Sequence, residues 1–162
     1  MNEVIDASLL LLDKPDATVE DLMEIIPAPD FPTKGIIYGV SGVKDAYRTG
    51  RGRVVMRART HFEEVDSGSG RQAIIVDELP YQVNKSSLLM RIGELVRDKR
   101  LEGISPSGIR DESDKSGMRV VLELKRGEIA EVVLNNLYKE TQLQDSFGMN
   151  MVALVDLSLI HI

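Results

Sequence analysis

Cysteine is absent from this 162-residue chain, which excludes disulfide scaffolds, zinc–thiolate sites and cysteine nucleophiles. Tryptophan is absent too, and aromatic residues reach only 4%. Platforms that stack unpaired bases need several exposed rings, so this chain is poorly supplied for them. Two histidines, His61 and His161, leave little material for a histidine-built metal centre. No apolar run approaches the roughly 18 residues of a membrane span. The first residues lack the positive charge of a secretory leader. A soluble intracellular protein with no membrane partner is the expectation. Basic charge is also short: 20 Lys and Arg face 26 Asp and Glu, for a net charge of −6. A small module that binds nucleic acid unaided is usually basic, so the balance counts against autonomous binding. It leaves room for a local basic patch.

What is present suits a folded domain. Hydrophobic residues make up 43% of the chain and charged residues 28%, too apolar for disorder. The length is about one domain's worth, and a core of this size needs no metal or disulfide staple.

The pattern predicts two leading helices. Val4, Ile5, Leu9 and Leu12 recur at helical spacing over Asn2–Asp13. Thr18 to Asp21 has the form of a capping box and opens a short helix through Ile26. Pro27, Pro29 and Pro32 mark an extended connector from Pro27 to Thr33. Gly35–Gly39 is a short apolar run, and Val43–Arg48 reads as a short helix. A strand from Arg53 to Glu63 is expected next, then a hairpin loop at Asp66–Gly70 and a returning strand, Arg71–Glu78. Asn84 caps a predicted helix over Lys85–Lys99, with Leu88, Leu89, Ile92, Leu95 and Val96 on one stripe.

Gly103–Gly117 reads as a polar loop, followed by a strand in which Met118, Val120, Leu122 and Leu124 alternate. A helix over Glu128–Tyr138 is expected to turn Ile129, Val132 and Val133 inward. The last predicted strand, Phe147–Val155, places Phe147, Met149, Met151, Ala153 and Val155 on one face. The order after the leading helices is β-β-α-β-α-β. It predicts an α+β fold, with helices packed on a mixed, mostly antiparallel sheet.

The most informative stretch is Lys44 to Arg59. It holds Lys44, Arg48, Arg51, Arg53, Arg57 and Arg59 against one acid, Asp45. Arg51, Arg53, Arg57 and Arg59 share odd parity, so an extended strand puts them on one face and turns Val54, Met56 and Ala58 to the other. Same-face neighbours lie roughly 6.6 Å apart, twice the strand rise, close to the spacing of successive phosphates on a nucleic-acid strand. The planar guanidinium fork suits phosphate oxygens. Two readings stay open: a phosphate-binding track, or a solvated ladder paired with carboxylates such as Glu78 near Arg57. Gly50 and Gly52 allow close approach of a ligand, but turn geometry explains them equally well.

Other candidates carry less. Gly68–Ala73 has the form GxGxxA, but a β-type run follows it where a dinucleotide fingerprint must open a helix. Asp111, Glu112 and Asp114 fit no calcium loop and read as a solvated turn. His61 shares the parity of the arginine face, though a lone strand histidine is more often incidental. Tyr38, Tyr47, Tyr81 and Tyr138 read as half-buried structural aromatics. No GxSxG elbow or SxxK pair exists. Neither a catalytic set nor a metal site is expected.

Six strings carry a family resemblance. Ile26–Thr33 (IPAPDFPT), Ala46–Arg53 (AYRTGRGR), Arg57–Arg59 (RAR), Leu79–Lys85 (LPYQVNK), Arg110–Asp114 (RDESD) and Val133–Tyr138 (VLNNLY) occur in this order. Together the sequence from about Asn2 to Asp156 resembles the A subunits of bacterial type IIA DNA topoisomerases, the gyrase type most closely and the topoisomerase IV type next. The resemblance implies a helical end of the segment after a winged-helix domain (residues 1–30), a tower domain (31–156) and a tail that departs from the family (157–162).

Such enzymes cut both strands of a gate duplex, pass another duplex through and reseal the break in an ATP-dependent cycle. Their tower supports the bent gate DNA, which implies phosphate contacts without base reading. Lys44, Arg48, Arg51, Arg53, Arg57 and Arg59 are the implied DNA-binding residues. The family's Arg-Tyr nucleophile pair does not occur in this sequence, so the chain alone is expected to be inactive. ATP and magnesium belong to the partner B subunits, and no cofactor is expected here. The implied partners are duplex DNA, the remainder of the gyrase-type polypeptide, and B subunits in a heterotetramer of two A and two B. The implied location is cytoplasmic and nucleoid-associated. Two departures stand out: Gly103–Arg110 is about two residues longer than the usual family loop, and Leu157–Ile162 leaves the pattern. A truncated gene product is the resulting expectation.

Overall fold

The computed structural model describes residues 1–65, 70–155 and 158–161, with residues 154–155 and 158–161 described by backbone alone. The expected hairpin loop at Asp66–Gly70 lies outside the described residues apart from Gly70. The fold is α+β, with five helices and three sheets among the described residues. It divides into two compact units. One comprises residues 1–31, 37–55 and 146–162, and the other residues 32–36 and 56–145.

In the first unit, α1 (Asn2–Asp13) and α2 (Val19–Ile25) form where the periodicity places them. Thr18 accepts from the Asp21 backbone N–H at 3.2 Å, and the Asp21 carboxylate accepts from the Thr18 N–H at 2.9 Å. That is the capping box read from sequence, and it satisfies two donors a helix start otherwise leaves open. Helix α1 buries only Ala7, and α2 buries no residue. A third helix, α3 (Ser41–Thr49), buries Val43 and Ala46 and stops at Gly50, whose φ of +75° is the left-handed closure that glycine adopts without strain. Tyr38, expected half-buried, is 57% exposed.

In the second unit β3 (Arg59–Glu64), β4 (Gln72–Glu78), β5 (Ile104–Asp111) and β6 (Val120–Leu124) make an antiparallel sheet in the order β3-β4-β6-β5. Helix α4 (Lys85–Arg97), capped by the Asn84 side chain accepting from Ser87 N–H, and helix α5 (Ala130–Glu140) pack on one face. The core between them holds Ile74, Val76, Val120, Leu122 and Leu124 of the sheet, with Leu88, Ile92 and Leu95 of α4 and Val133 and Leu137 of α5. Val120, Leu122 and Leu124 are alternating strand positions, and Leu88, Ile92 and Leu95 belong to the helical stripe, that the pattern singles out.

Four predicted elements differ. The single strand expected over Arg53–Glu63 is two: β2 (Arg51–Arg57) runs in a three-stranded sheet with β1 (Ile36–Ile37) and β7 (Gln144–Asn150), whereas β3 joins the four-stranded sheet. Ala58, fully buried, marks the change, and its N–H donates to the Leu143 carbonyl at 2.8 Å. The polar loop expected at Gly103–Gly117 contains β5, an edge strand with an irregular register between Ile104 and Ile109. Edge strands need no buried alternation on both sides, so turn-like residues are tolerated there.

Ile129 and Val132 are 61% and 54% exposed. Ile129 is the residue before α5, and the inward face runs through Ala130, Val133 and Leu137 instead. The last strand starts earlier than expected and breaks at Met151, separating β7 from β8 (Val152–Val155), which pairs with β9 (Ser158–His161). The side chain of Val155 lies outside the described residues.

Candidate nucleic-acid interface

Helix α3 and the start of β2 position the first group of candidate side chains. Gly50 reverses the chain after Arg48 so that β2 opens on Arg51. The Thr49 hydroxyl donates to the Asp45 carbonyl at 2.7 Å and accepts from the Arg51 N–H at 3.3 Å. Gly42 and Gly52 face each other: a Cβ on Gly42 would collide with the Arg53 carbonyl, and one on Gly52 with the Gly42 carbonyl. The close approach that Gly52 permits is therefore filled by the protein's own backbone.

Within β2, Arg51 and Arg53 are exposed while Val54 and Met56 are buried at 1%. Alternation thus sets Arg51 and Arg53 against Val54 and Met56, but the single face of four arginines does not form: Arg57, of the same parity, is half-buried, and Arg59 opens β3 in another sheet. Among the described residues, neither the Arg51 nor the Arg53 side chain has a carboxylate or hydrogen-bond partner. On α3, Arg48 is ion-paired with Glu20, and its guanidinium, with Lys44 adding a weaker pull, holds the Glu20 carboxyl below the usual range.

The second unit carries Arg57 and Arg59. Arg57 is half-buried: its Nε donates to Gln144 Oε1 at 2.5 Å, and its guanidinium lies over the Tyr138 ring, 4.8 Å from the centroid. That is a cation–π geometry. Arg59 Nε stands 3.5 Å from Glu78 Oε2, with Arg59 61% exposed and Glu78 17%. The carboxylate expected near Arg57 is thus ion-paired with Arg59, because β3 pairs Arg59 directly with Glu78 and then shifts register. Glu78 also accepts from the Gly35 N–H at 2.9 Å.

The outer face of the four-stranded sheet holds an ionic network that sequence reasoning missed. Ala73, Ile75 and Val121 lie there, buried at 1–3%, with Val65 packed against them. By register, Glu63, Glu123 and Arg110 share this face with them. Arg119 donates from Nη1 and Nη2 to the two Glu63 oxygens at 2.9 and 2.6 Å, and from Nε to Glu112 at 3.2 Å. Arg110 bonds to Glu112 at 3.1 Å and Glu123 at 2.5 Å. Asp111 pairs with Lys85 at 2.7 Å, so two of the three acids read as a solvated turn, Asp111 and Glu112, are tied into ion pairs, while Asp114 accepts from the Ser116 N–H at 2.8 Å. Only the strand alternation of Glu63, Ala73, Ile75 and Glu123 hinted at this roof. Among the described residues, no group of three His, Asp or Glu side chains is arranged to hold a metal ion. No described helix is long and apolar enough to cross a membrane.

A family model for the A subunits of DNA gyrase and topoisomerase IV matches residues 1–160. The chain belongs to that family. Among similar members, the DNA gyrase A protein of Pseudomonas aeruginosa is 62% identical over 156 residues, covering 96% of this chain. That of Escherichia coli is 59% identical over 154 residues, or 95% of the chain. The chloroplastic/mitochondrial DNA gyrase A protein of Arabidopsis thaliana is 55% identical over 156 residues. The matched part is 16–17% of each relative's own length, so the chain spans about a sixth of these family members.

Proposed function

We propose that this chain is the tower portion of a gyrase-type A protein, residues 31–156, preceded by a helical segment at 1–30. In this reading it supports and bends the gate duplex by contacting backbone phosphates during ATP-dependent double-strand passage. The observation that carries it is the pair Arg51 and Arg53, exposed on one strand without a partner among the described residues. Unpaired guanidiniums are available to phosphate at no cost in broken ion pairs. Lys44 on α3 is exposed as well and is the natural third contact. Arg48, Arg57 and Arg59 would have to exchange Glu20, Gln144 or Glu78 for phosphate, which makes them secondary contacts.

The chemistry of strand cleavage falls to parts of the polypeptide outside this chain, and ATP and magnesium to the B subunits of a two-A, two-B assembly. A cytoplasmic, nucleoid-associated location follows from that role. Net acidity is consistent with one basic edge on a domain whose affinity for DNA comes mainly from the larger enzyme.

Fluorescence anisotropy with a labelled duplex tests the reading. Weak, sequence-independent binding is expected, with log K falling against log salt at a slope near roughly −2.7 for three phosphates. Arg51→Ala/Arg53→Ala should remove most of it without unfolding the chain. The competing reading is a spacer whose arginines serve internal pairing, and the Arg48–Glu20 and Arg59–Glu78 pairs favour it. Unchanged affinity in the double variant would decide for the spacer.

A further inference from the structure

Strands β3 and β4 do not pair evenly. Arg59 faces Glu78 and Thr60 faces Val76, so Asp77 bulges between two cross-strand pairs with no residue opposite it. The gap falls on an edge strand whose one strand neighbour in the sheet is β4. A side chain spans it. His61 Nδ1 lies 2.7 Å from Asp77 Oδ2, and Nε2 lies 2.9 Å from Glu63 Oε1. Among the described residues the Asp77 carboxylate has no other ion-pair or hydrogen-bond partner. Glu63 is held from its far side as well, because Arg119 donates to both of its oxygens. Asp77, His61, Glu63, Arg119, Glu112, Arg110 and Glu123 thus alternate in sign along one line of contacts across the sheet. All seven belong to the second unit, so the line is complete within it.

The imidazole is the member of this line whose charge changes near neutral pH. As imidazolium it donates to both carboxylates at once. The neutral ring keeps one N–H, and its bare nitrogen then turns a lone pair toward a carboxylate oxygen, so one contact must break. Glu63 stays, since Arg119 fixes it. Asp77, with its side chain 35% exposed, is free to turn to water. We infer that His61 is a proton-operated staple: charged, it clips the β4 bulge to β3, and neutral, it releases Asp77 and lets the Arg59–His61 end of β3 open. Glu63 on β3 and Asp77 on β4 are the titratable groups that contact the ring among the described residues, and Arg119 reaches it through Glu63. Arg59, ion-paired with Glu78 beyond the bulge, shares the released end.

Two measurements on the full chain test the staple. By NMR the His61 ring should titrate with a midpoint above 6.5, and the Asp77 carboxyl carbon should shift with the same midpoint. In hydrogen exchange corrected for intrinsic rates, the β3 stretch should exchange roughly three- to tenfold faster well above that midpoint than below it. Ile74 and Leu122, in the core, should keep their protection. His61→Arg should hold β3 slow on both sides, because a guanidinium does not neutralise. Asp77→Asn should abolish the difference, because an amide can donate to the bare nitrogen as readily as accept from its N–H. A His61 midpoint at or below 6.5, or an Asp77 carbon that stays still while that of Glu63 moves, would overturn the proposal. So would a β3 response that survives in either variant, or protection lost evenly over β3, β4 and β6.

Discussion

The Nδ1 atom of His61 lies 2.7 Å from Oδ2 of Asp77, across the ladder that joins β3 to β4. Its other ring nitrogen stands 2.9 Å from Glu63 Oε1. Both nitrogens can donate at once only in the imidazolium, so the geometry selects the charged ring. The Glu63 bond, then the Asp77 bond, accordingly raises the His61 pKa above its ordinary 6.5. A group whose pKa is higher folded than unfolded contributes fully below the unfolded value and loses that contribution as pH climbs through the folded one. Melting temperature should therefore fall as pH rises from 6.5 through the elevated His61 value. His61→Gln should flatten that limb. A variant with an identical pH profile would remove His61 from the account.

The acid limb has the opposite sign. Glu63, held by Arg119 and then His61, and Asp111, held by Lys85 and Ser113, are each lowered to about 2. Their contribution is complete above the ordinary carboxylate range and disappears as pH drops toward 2. Stability should decline from pH ~4.5 downward, and Arg119→Ala should blunt the fall. Thermal melts across that range are the measurement.

Leu122 is completely buried at the centre of the second unit, whereas Leu12 of α1 is 77% exposed. Leu122→Ala should cost about 3 kcal/mol, transfer and cavity contributions together. Leu12→Ala should stay within about 0.5 kcal/mol. Urea titrations of the two variants would separate a core leucine from a surface one, and equal losses would contradict the burial pattern.

Gly42 and Gly52 make a fourth case. Adding a methyl at Gly42 drives it into the Arg53 carbonyl, a backbone atom that cannot rotate away. Gly42→Ala should destabilise by more than the ~1 kcal/mol that helix propensity would lead one to gain. It should also displace Arg53, so any DNA affinity should drop with stability. A stabilised Gly42→Ala protein would show that α3 and β2 sit farther apart.

Local signals carried far along this chain. Thr18 and Asn84 announce their helices through cap chemistry that depends only on neighbours three residues away. The alternation of Arg51, Arg53, Val54 and Met56 is equally local, which is why its exposure pattern could be read directly. The change of sheet at Ala58 left no mark, because alternation continues through it and the carbonyl that satisfies its N–H belongs to distant Leu143. Partners of the candidate arginines were hidden for the same reason: Glu20 and Gln144 are 28 and 87 residues from Arg48 and Arg57. Ser105, Pro106 and Gly108 look like a turn, so β5 was invisible. The ionic roof draws on three strands and the segment before β6, and no single window of sequence contains it.

The uneven pairing of β5 has a practical side. Ile104 aligns with Leu124 and Ile109 with Leu122, so four residues of one strand arch over a single residue of the other. Pro106 and Ser107 at the crest are exposed, while Ile104 and Leu122 beneath are fully buried. Extra length at the crest leaves both flanking hydrophobic pairs in step. Ser105–Ser107 is accordingly the place to graft an epitope or a spectroscopic label onto this protein without disturbing what lies below it.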